Sequence, residues 1–302
     1  MESGNTRVDW HIAANRTLGA MNRAPTRCGV GLAHAPPRVG VRFIAPNSTS
    51  DSNVESLFYK SPEGHIPVSI TIFPFTEAEL DATDEVVMAA YNVPQSRKDA
   101  LRSYLTFQSA GSFVAKDDDD AVVGFGGVLD YGPFAYVGLM SVSPTVQKRG
   151  VGQLLMERLL AWLEARGCPA ALLDATPVGE PVYRRNGFLE DDRTVVWQQS
   201  EHILLPRHLP LGVSRLTETE IPALIRFDAP HFGADRVEVL SAYCVRYPHR
   251  VLVIHAESGR ISGYAVAQSN VIGPLVAQTK EDAERLLVHA LALPFEGKPG
   301  VF

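Results

Sequence analysis

Residues 147–155, QKRGVGQLL, place two glycines and two cations where a helical apolar period begins. A glycine inside a helix costs roughly 0.5–1 kcal/mol relative to alanine, so Gly150 and Gly152 need a reason. A helix start presents unpaired backbone N–H groups and the positive end of the helix dipole. Glycine there lets a phosphate come close to the backbone. The apolar run FAYVGLMSV (134–142) leads into Gln147, Gly150 and Gly152, and Lys148 and Arg149 add charge suited to a polyphosphate. The segment reads as an anion cradle. Spacing excludes two other phosphate motifs. A P-loop needs four residues between its glycines and then Lys-Ser/Thr, and a dinucleotide fingerprint needs a third glycine where Leu155 stands.

The elements around this loop follow from pattern. VSITIFPF (68–75) alternates as a strand does. Residues 76–92 start with Thr76 and Glu79, a capping-box spacing, and continue as an apolar stripe. A second helix is expected over 96–108, strands over 112–117, 121–132 and 134–142, and then the helix starting at Gly150. Val151, Leu154, Leu155, Leu159 and Leu163 give that helix one apolar face, and Gly167 is placed to close it. A strand over 170–176, a short helix over 181–188 ended by Gly187, and a strand over 194–199 complete the series. The order β-α-α-β-β-β-α-β-α-β predicts an α/β (α+β) domain with helices on a mixed sheet.

The chain has 302 residues, room for two domains of ordinary size. A net charge of −6 argues against a general nucleic-acid binder. No apolar run reaches the length of a membrane span. Cys28, Cys168 and Cys244 have neither metal-ligand spacing nor the even count of a disulfide framework, so no metal is expected. A cytoplasmic location is the default expectation. Residues 1–66 are rich in Asn, Arg, Pro, Gly and Ser and lack an apolar period, which predicts a mostly disordered extension. The first 50 residues hold six Arg against Glu2 and Asp9 alone, a faint likeness to a mitochondrial presequence and the minor alternative for location. The expected domains are 67–202, a Pro-rich linker 203–212, and 213–302.

LMSVSPTVQKRGVG (139–152) and VYRRNGF (182–188) together resemble the two signatures of the GCN5-related N-acetyltransferase (GNAT) superfamily. The element order over 68–199 fits that fold, a mixed, mostly antiparallel sheet with flanking helices. The resemblance implies an acetyl-CoA-dependent N-acetyltransferase in which an amine attacks the thioester directly, with acetyl-CoA as co-substrate. The pantetheine is then expected against Met140, Ser141 and Val142, and the diphosphate on the N–H groups of Gln147, Lys148, Arg149, Gly150, Val151 and Gly152. A backbone N–H near Met140 is expected to face the acetyl oxygen, where negative charge develops. Tyr183 falls on the family's general acid for the departing thiolate, the alternative being that it packs against the cofactor. Thr176 stands where many members carry Asn, and its hydroxyl is the candidate partner of the cofactor chain. Asp130, Tyr131 and Asp174 are the candidates near the acceptor side for a general base, with a water chain as the alternative. His202 and His208 are read as solvated.

After LPRHLPLG (205–212), the segments DAPHFGADRVEVL (228–240), GYAVAQ (263–268) and IGPLVAQTKEDAERLL (272–287) resemble the C-terminal acetyltransferase-like module of a tandem GNAT subfamily. This half lacks the paired glycines and basic residues of the cradle, so a second CoA site is not expected. Asp235 and Arg236 are read either as reaching toward the acceptor or as an ordinary intradomain ion pair. Ending at GKPGVF, the module is expected to be degenerate and incomplete, a partial second GNAT-like fold. The expected acceptor is a small amine or amino-acid-like molecule in preference to a protein, with no nucleic-acid or membrane partner, and self-association left open. The rival reading is a CoA-binding regulatory or interaction protein without turnover.

Overall fold

The computed structural model describes residues 69–198, 205–295, 297 and 299–301, with side chains omitted over 192–198, and the backbone of four earlier strand segments. Two compact units emerge: residues 40–194, and residues 195–302 together with 1–39.

The earlier segments are β1 (Val8–Trp10), β2 (Thr26–Cys28), β3 (Arg38–Pro46) and β4 (Ser56–Phe58). β1 and β2 pair antiparallel. Within the stretch 1–66, expected to be mostly disordered, RVGVRFIAP forms the nine-residue strand β3. The residues of 1–66 beyond these four strands lie outside the described ones.

In the unit 40–194 the order is β5 (Ser69–Pro74), α1 (Leu80–Tyr91), α2 (Lys98–Gln108), β6 (Ser112–Lys116), β7 (Val122–Asp130), β8 (Ala135–Val142), α3 (Val151–Ala165), β9 (Ala170–Ala175), α4 (Glu180–Arg185) and β10 (Leu189–Gln198). This is the expected series. The capping box of Thr76 and Glu79 is present, closing a short 3₁₀ turn that leads into α1. The strands lie in the order β4-β5-β6-β7-β8-β9-β3. Neighbours are antiparallel except β8 and β9, which run parallel.

The two faces of this sheet carry different helices. Phe113, Ala115, Val137 and Ala171 pack with Leu154, Leu155 and Leu159 of α3 and with Tyr183 of α4. Val114 and Phe125 pack with Leu80 and Val87 of α1 and Leu101 of α2 on the other. Alternation along each strand sends successive side chains to opposite faces, which is why the two apolar clusters separate.

The second unit has β11 (Val213–Arg215), α5 (Ile221–Phe232), α6 (Val237–Arg246), β12 (Val251–His255), β13 (Ile261–Ala267), β14 (Val271–Ala277), α7 (Lys280–Leu291) and β15 (Gly300–Val301). Its sheet order is β11-β12-β13-β14-β15. It repeats the first unit's series from β5 through β9, as a partial second GNAT-like module is expected to, including a parallel last pair that joins only Val271–Gly300 and Ile272–Val301. Trp197 and Gln198, the end of β10 that belongs to this second unit, pair with β15 antiparallel.

Candidate active site

The site begins with a strand pair that comes apart. β8 and β9 pair at Ala135–Ala171 and Tyr136–Leu172 and no further, although β8 runs on to Val142 and β9 to Ala175. On its other side β8 stays paired with β7 at Ser141–Phe125 and Val142–Gly124. Ser143 N–H donates to the Val123 carbonyl at 2.8 Å. In an antiparallel ladder every second residue bonds the same neighbour. Ser141 and Ser143 thus turn to β7, while the Met140 carbonyl and both backbone groups of Val142 turn to the side of β9. There they meet a gap instead of a strand. A bulge sits at the same place, with the register shifting past Phe125 and Leu139 at φ +51°. The extra residue bends the strand and re-aims the peptide that carries the Met140 N–H. Met140, Ser141 and Val142 thus line a slot of strand geometry, open to an extended polar chain.

The cradle lies directly beyond. Lys148 (φ +64°) and Gly150 (φ +87°) both take left-handed conformations, and Lys148, Arg149 and Gly150 are exposed. Gly150 precedes the helix as its cap, so the reading of two helical glycines is corrected: only Gly152 lies inside α3. The positive φ is what requires glycine at 150. The first bond of the turn runs from Leu154 N–H to Gly150 O at 3.0 Å. The N–H groups of Val151, Gly152 and Gln153 lie ahead of it, at the positive end of a 15-residue helix. A Cβ at Gly152 would meet Val142 and Val182 only at 3.6 and 3.9 Å, ordinary contact. Internal packing therefore does not demand that glycine. Close approach by something outside the chain would. The side-chain amide of Gln147 donates to the Val142 carbonyl at 3.1 Å and braces the loop.

Tyr183 on α4 is 8% exposed and packs edge-on to Phe188, ring centroids 6.0 Å apart. Its ring folds back over Gly179, where a Cβ would come within 2.9 Å of the ring and 3.1 Å of the hydroxyl. Burial pushes its phenol well above the usual tyrosine value, and a charge on Tyr91 would push it further. Thr176 closes the turn that precedes α4: its carbonyl accepts from Gly179 and Glu180, and its hydroxyl accepts from Gly179 N–H at 3.3 Å. Asn186 and Gln153 exchange amide hydrogen bonds of 3.0 and 3.1 Å, tying the end of α4 to the first turn of α3. The sequence reading missed this clasp, for which the side-chain amides at 153 and 186 are the only signal. It also missed Tyr91, the last residue of α1, whose hydroxyl donates to the Met140 carbonyl at 3.3 Å.

The base candidates are engaged elsewhere. Asp130 accepts from Arg166 at 2.9 Å and from Gly132 N–H at 2.8 Å, in the hairpin at the far end of β8. Tyr131 stacks at a tilt on Phe134 in the same hairpin. Asp174, exposed on β9, accepts a short hydrogen bond from Tyr136 beside the last residues of the β8–β9 pair. His208 is exposed, and His202 lies outside the described residues.

In the second unit Arg236 pairs with Asp228 through two 2.7 Å bonds, and Tyr264 donates to Asp228 at 2.5 Å. Asp228 is fully buried, so this is the intradomain ion pair, with Asp228 and not Asp235 as the partner. Asp235 instead accepts from Val237 N–H at 2.8 Å at the start of α6. The helix after β14 starts unlike α3: Thr279 caps it by accepting from Asp282 N–H at 3.1 Å, and Glu281 and Asp282 fill its first turn. Two carboxylates already complement that dipole, which disfavours a phosphate there. Among the described residues no cluster of His, Cys, Asp and Glu could hold a metal ion.

Residues 78–188 match the model of the acetyltransferase (GNAT) family, and residues 224–298 match an acetyltransferase (GNAT) domain. Together they take in more than half of the chain. A putative acetyltransferase from Pyrococcus horikoshii is similar at 29% identity and a TM-score of 0.65, over 75% of this chain and 77% of that one. A GCN5-related glucosamine N-acetyltransferase region of a fungal multi-domain GH3 β-N-acetylglucosaminidase shares the fold at 18% identity and a TM-score of 0.51, over 74% of this chain and 34% of that one. No protein with a curated description matches.

Proposed function

The chain belongs to the GNAT superfamily, with two such domains in tandem, and on that premise we propose that its first domain is an acetyl-CoA-dependent N-acetyltransferase acting on a small amine. One observation carries the reading: the unpaired edge of β8 at Met140–Val142 runs straight into the open N–H groups at the start of α3. That continuity suits one ligand with an extended amide chain at one end and a diphosphate at the other. Acetyl-CoA has that shape, and when bound it supplies an activated acyl carbon, at which a C–N bond forms as a C–S bond breaks.

The chain's own groups then divide the work. The backbone N–H groups of Met140 and Val142 face an extended chain, while their carbonyls already accept from Tyr91 and Gln147. Gly150, Val151 and Gly152 face a diphosphate with N–H groups, and Lys148 and Arg149 offset its charge. Tyr183 keeps its proton at neutral pH and presents it as a hydrogen-bond donor. With a phenol held above its usual value and a thiol near pKa 8.5, full transfer to sulfur is uphill. Tyr183 therefore acts first by stabilising negative charge on a departing sulfur. The proton shed by the amine nitrogen goes to solvent water, and the departing sulfur, held by the hydrogen bond from Tyr183, takes its proton from solvent as it leaves.

The test is calorimetric binding of acetyl-CoA together with thiol release from an amine panel, for the wild type and Gly150→Asp. Aspartate puts a side chain and a negative charge where a diphosphate must approach and strains a φ of +87°. The expected result is micromolar binding and thiol release by the wild type, and loss of both in a variant that is still folded by circular dichroism. Equal affinity in the folded variant would sink the cradle assignment. Binding without thiol release from any amine would favour the CoA-binding regulatory reading.

A further inference from the structure

The first turn of α3 and the short helix α4 are joined by a closed set of side-chain amide bonds. Gln153 is the third residue of α3, and its backbone N–H is one of the open donors of the cradle. Its side-chain Nε2 donates to Glu157 Oε1 at 2.9 Å and to Asn186 Oδ1 at 3.1 Å. Asn186 Nδ2 returns a bond to Gln153 Oε1 at 3.0 Å and gives its second hydrogen to the Val182 carbonyl at 2.8 Å. All four amide hydrogens are thus used, and turning either amide over would set donor against donor. Asn186 also holds α4 through its backbone, its N–H donating to the Tyr183 carbonyl at 3.0 Å. A chain of directional bonds therefore runs from a residue of the cradle to the peptide units of Val182 and Tyr183.

The helix needs such a hold. Six residues are too few for a helix to be stable by itself. It also lies between two glycines, Gly179 before it and left-handed Gly187 (φ +80°) after it. The apolar contacts of Tyr183 with Phe188 and α3 are non-directional and tolerate a slide of α4 along α3, which the paired amides do not. Resting on the acetyltransferase reading and on Tyr183's part in it, we propose that Gln153 and Asn186 are positioning residues: their amide pair sets the place of Tyr183 against the departing sulfur, and a diphosphate on the cradle stiffens that placement through Gln153. Neither side chain touches the reacting atoms. The pair matters to the rate because a hydrogen bond to charge that develops only in the transition state weakens steeply when its donor is misplaced.

The experiment uses the full chain as wild type, Gln153→Met, Asn186→Leu and the double variant, each alone and combined with Tyr183→Phe. Methionine keeps the length and helix propensity of glutamine and removes the amide. Thiol release is followed with glucosamine, lysine, spermidine and phenethylamine, and hydrogen exchange of residues 183–188 is measured with and without acetyl-CoA. For an accepted amine, Gln153→Met is expected to lower kcat about tenfold, with the acetyl-CoA KM within about twofold of wild type. The double variant falls no further than the lower single, and none of the three lowers kcat in the Tyr183→Phe background. Acetyl-CoA slows exchange over 183–188 in the wild type, and Gln153→Met loses most of that slowing. A wild-type kcat in Gln153→Met, an equal fall with and without the Tyr183 hydroxyl, or exchange that acetyl-CoA leaves unchanged in the wild type or slows equally in Gln153→Met overturns this inference alone. A wild type that binds no acetyl-CoA, or releases no thiol with any of the amines, overturns the acetyltransferase reading and this inference with it.

Discussion

Tyr183 shows how an environment chooses among the roles open to one side chain. Its ring is buried among apolar groups of α3 and the sheet, and desolvation disfavours the phenolate. A raised tyrosine pKa leaves the protonated form dominant until pH is well above 10. Tyr183 therefore contributes no alkaline limb to the rate in the physiological range. In Tyr183→Phe we expect kcat to fall by about 10²–10⁴-fold, with the KM for acetyl-CoA little changed because the ring and its packing stay. A wild-type rate limb centred near pH 8 that disappears in the phenylalanine variant would show that the phenol ionises there and would overturn this account. Retained turnover with a raised KM would make Tyr183 a packing residue.

Two helices that follow equivalent strands show how an element's first turn decides its chemistry. α3 opens on left-handed Gly150 with no acid in its first turn, and α7 opens on a Thr279 cap followed by Glu281 and Asp282. The first leaves its dipole for an anion from outside, and the second satisfies it internally. In the second unit the tightly held junction is instead that of α5, α6 and β13, through Asp228, Arg236 and Tyr264. Removing one partner of a buried ion pair strands the other charge. Arg236→Ala should therefore lower stability by about 3–5 kcal/mol, read in urea unfolding, and leave acetyl-CoA affinity at the wild-type value. A loss of affinity without a loss of stability would instead place Arg236 in a substrate site.

For the whole molecule, the sheet of the first unit does not end where its motifs begin. β3 pairs with β9 over six residues, Val41 to Pro46 against Ala175 to Ala170. β9 is one wall of the opening, and its register against β3 helps fix where it stands. Deleting residues 1–66 should lower Tm by several degrees and promote self-association, because β9 would gain an exposed edge. Light scattering and thermal unfolding of the truncated chain check this. A Tm equal to that of the full chain would show that the motif region needs nothing before residue 67, which is what composition alone suggests.

Sequence alone determined the series from β5 to β10, the glycines and cations at the start of α3, the place of Tyr183 on α4 and the absence of such a loop from the described start of α7. All of these rest on local signals: apolar period, capping residues, glycine and charge within a few residues. Tertiary structure decided the rest. Tyr91 and Met140 are 49 residues apart, and they meet because the bulge at Leu139 and the early end of the β8–β9 pairing turn one carbonyl toward α1. Arg236 found Asp228 because α5 and α6 bring their side chains together under β13, where Tyr264 completes the group. β3 was illegible because its short alternation sits among polar residues, and its partner strand lies more than a hundred residues on. Periodicity states which face of an element is apolar, but register, bulges and the direction of a backbone carbonyl are settled only when a strand meets its neighbours.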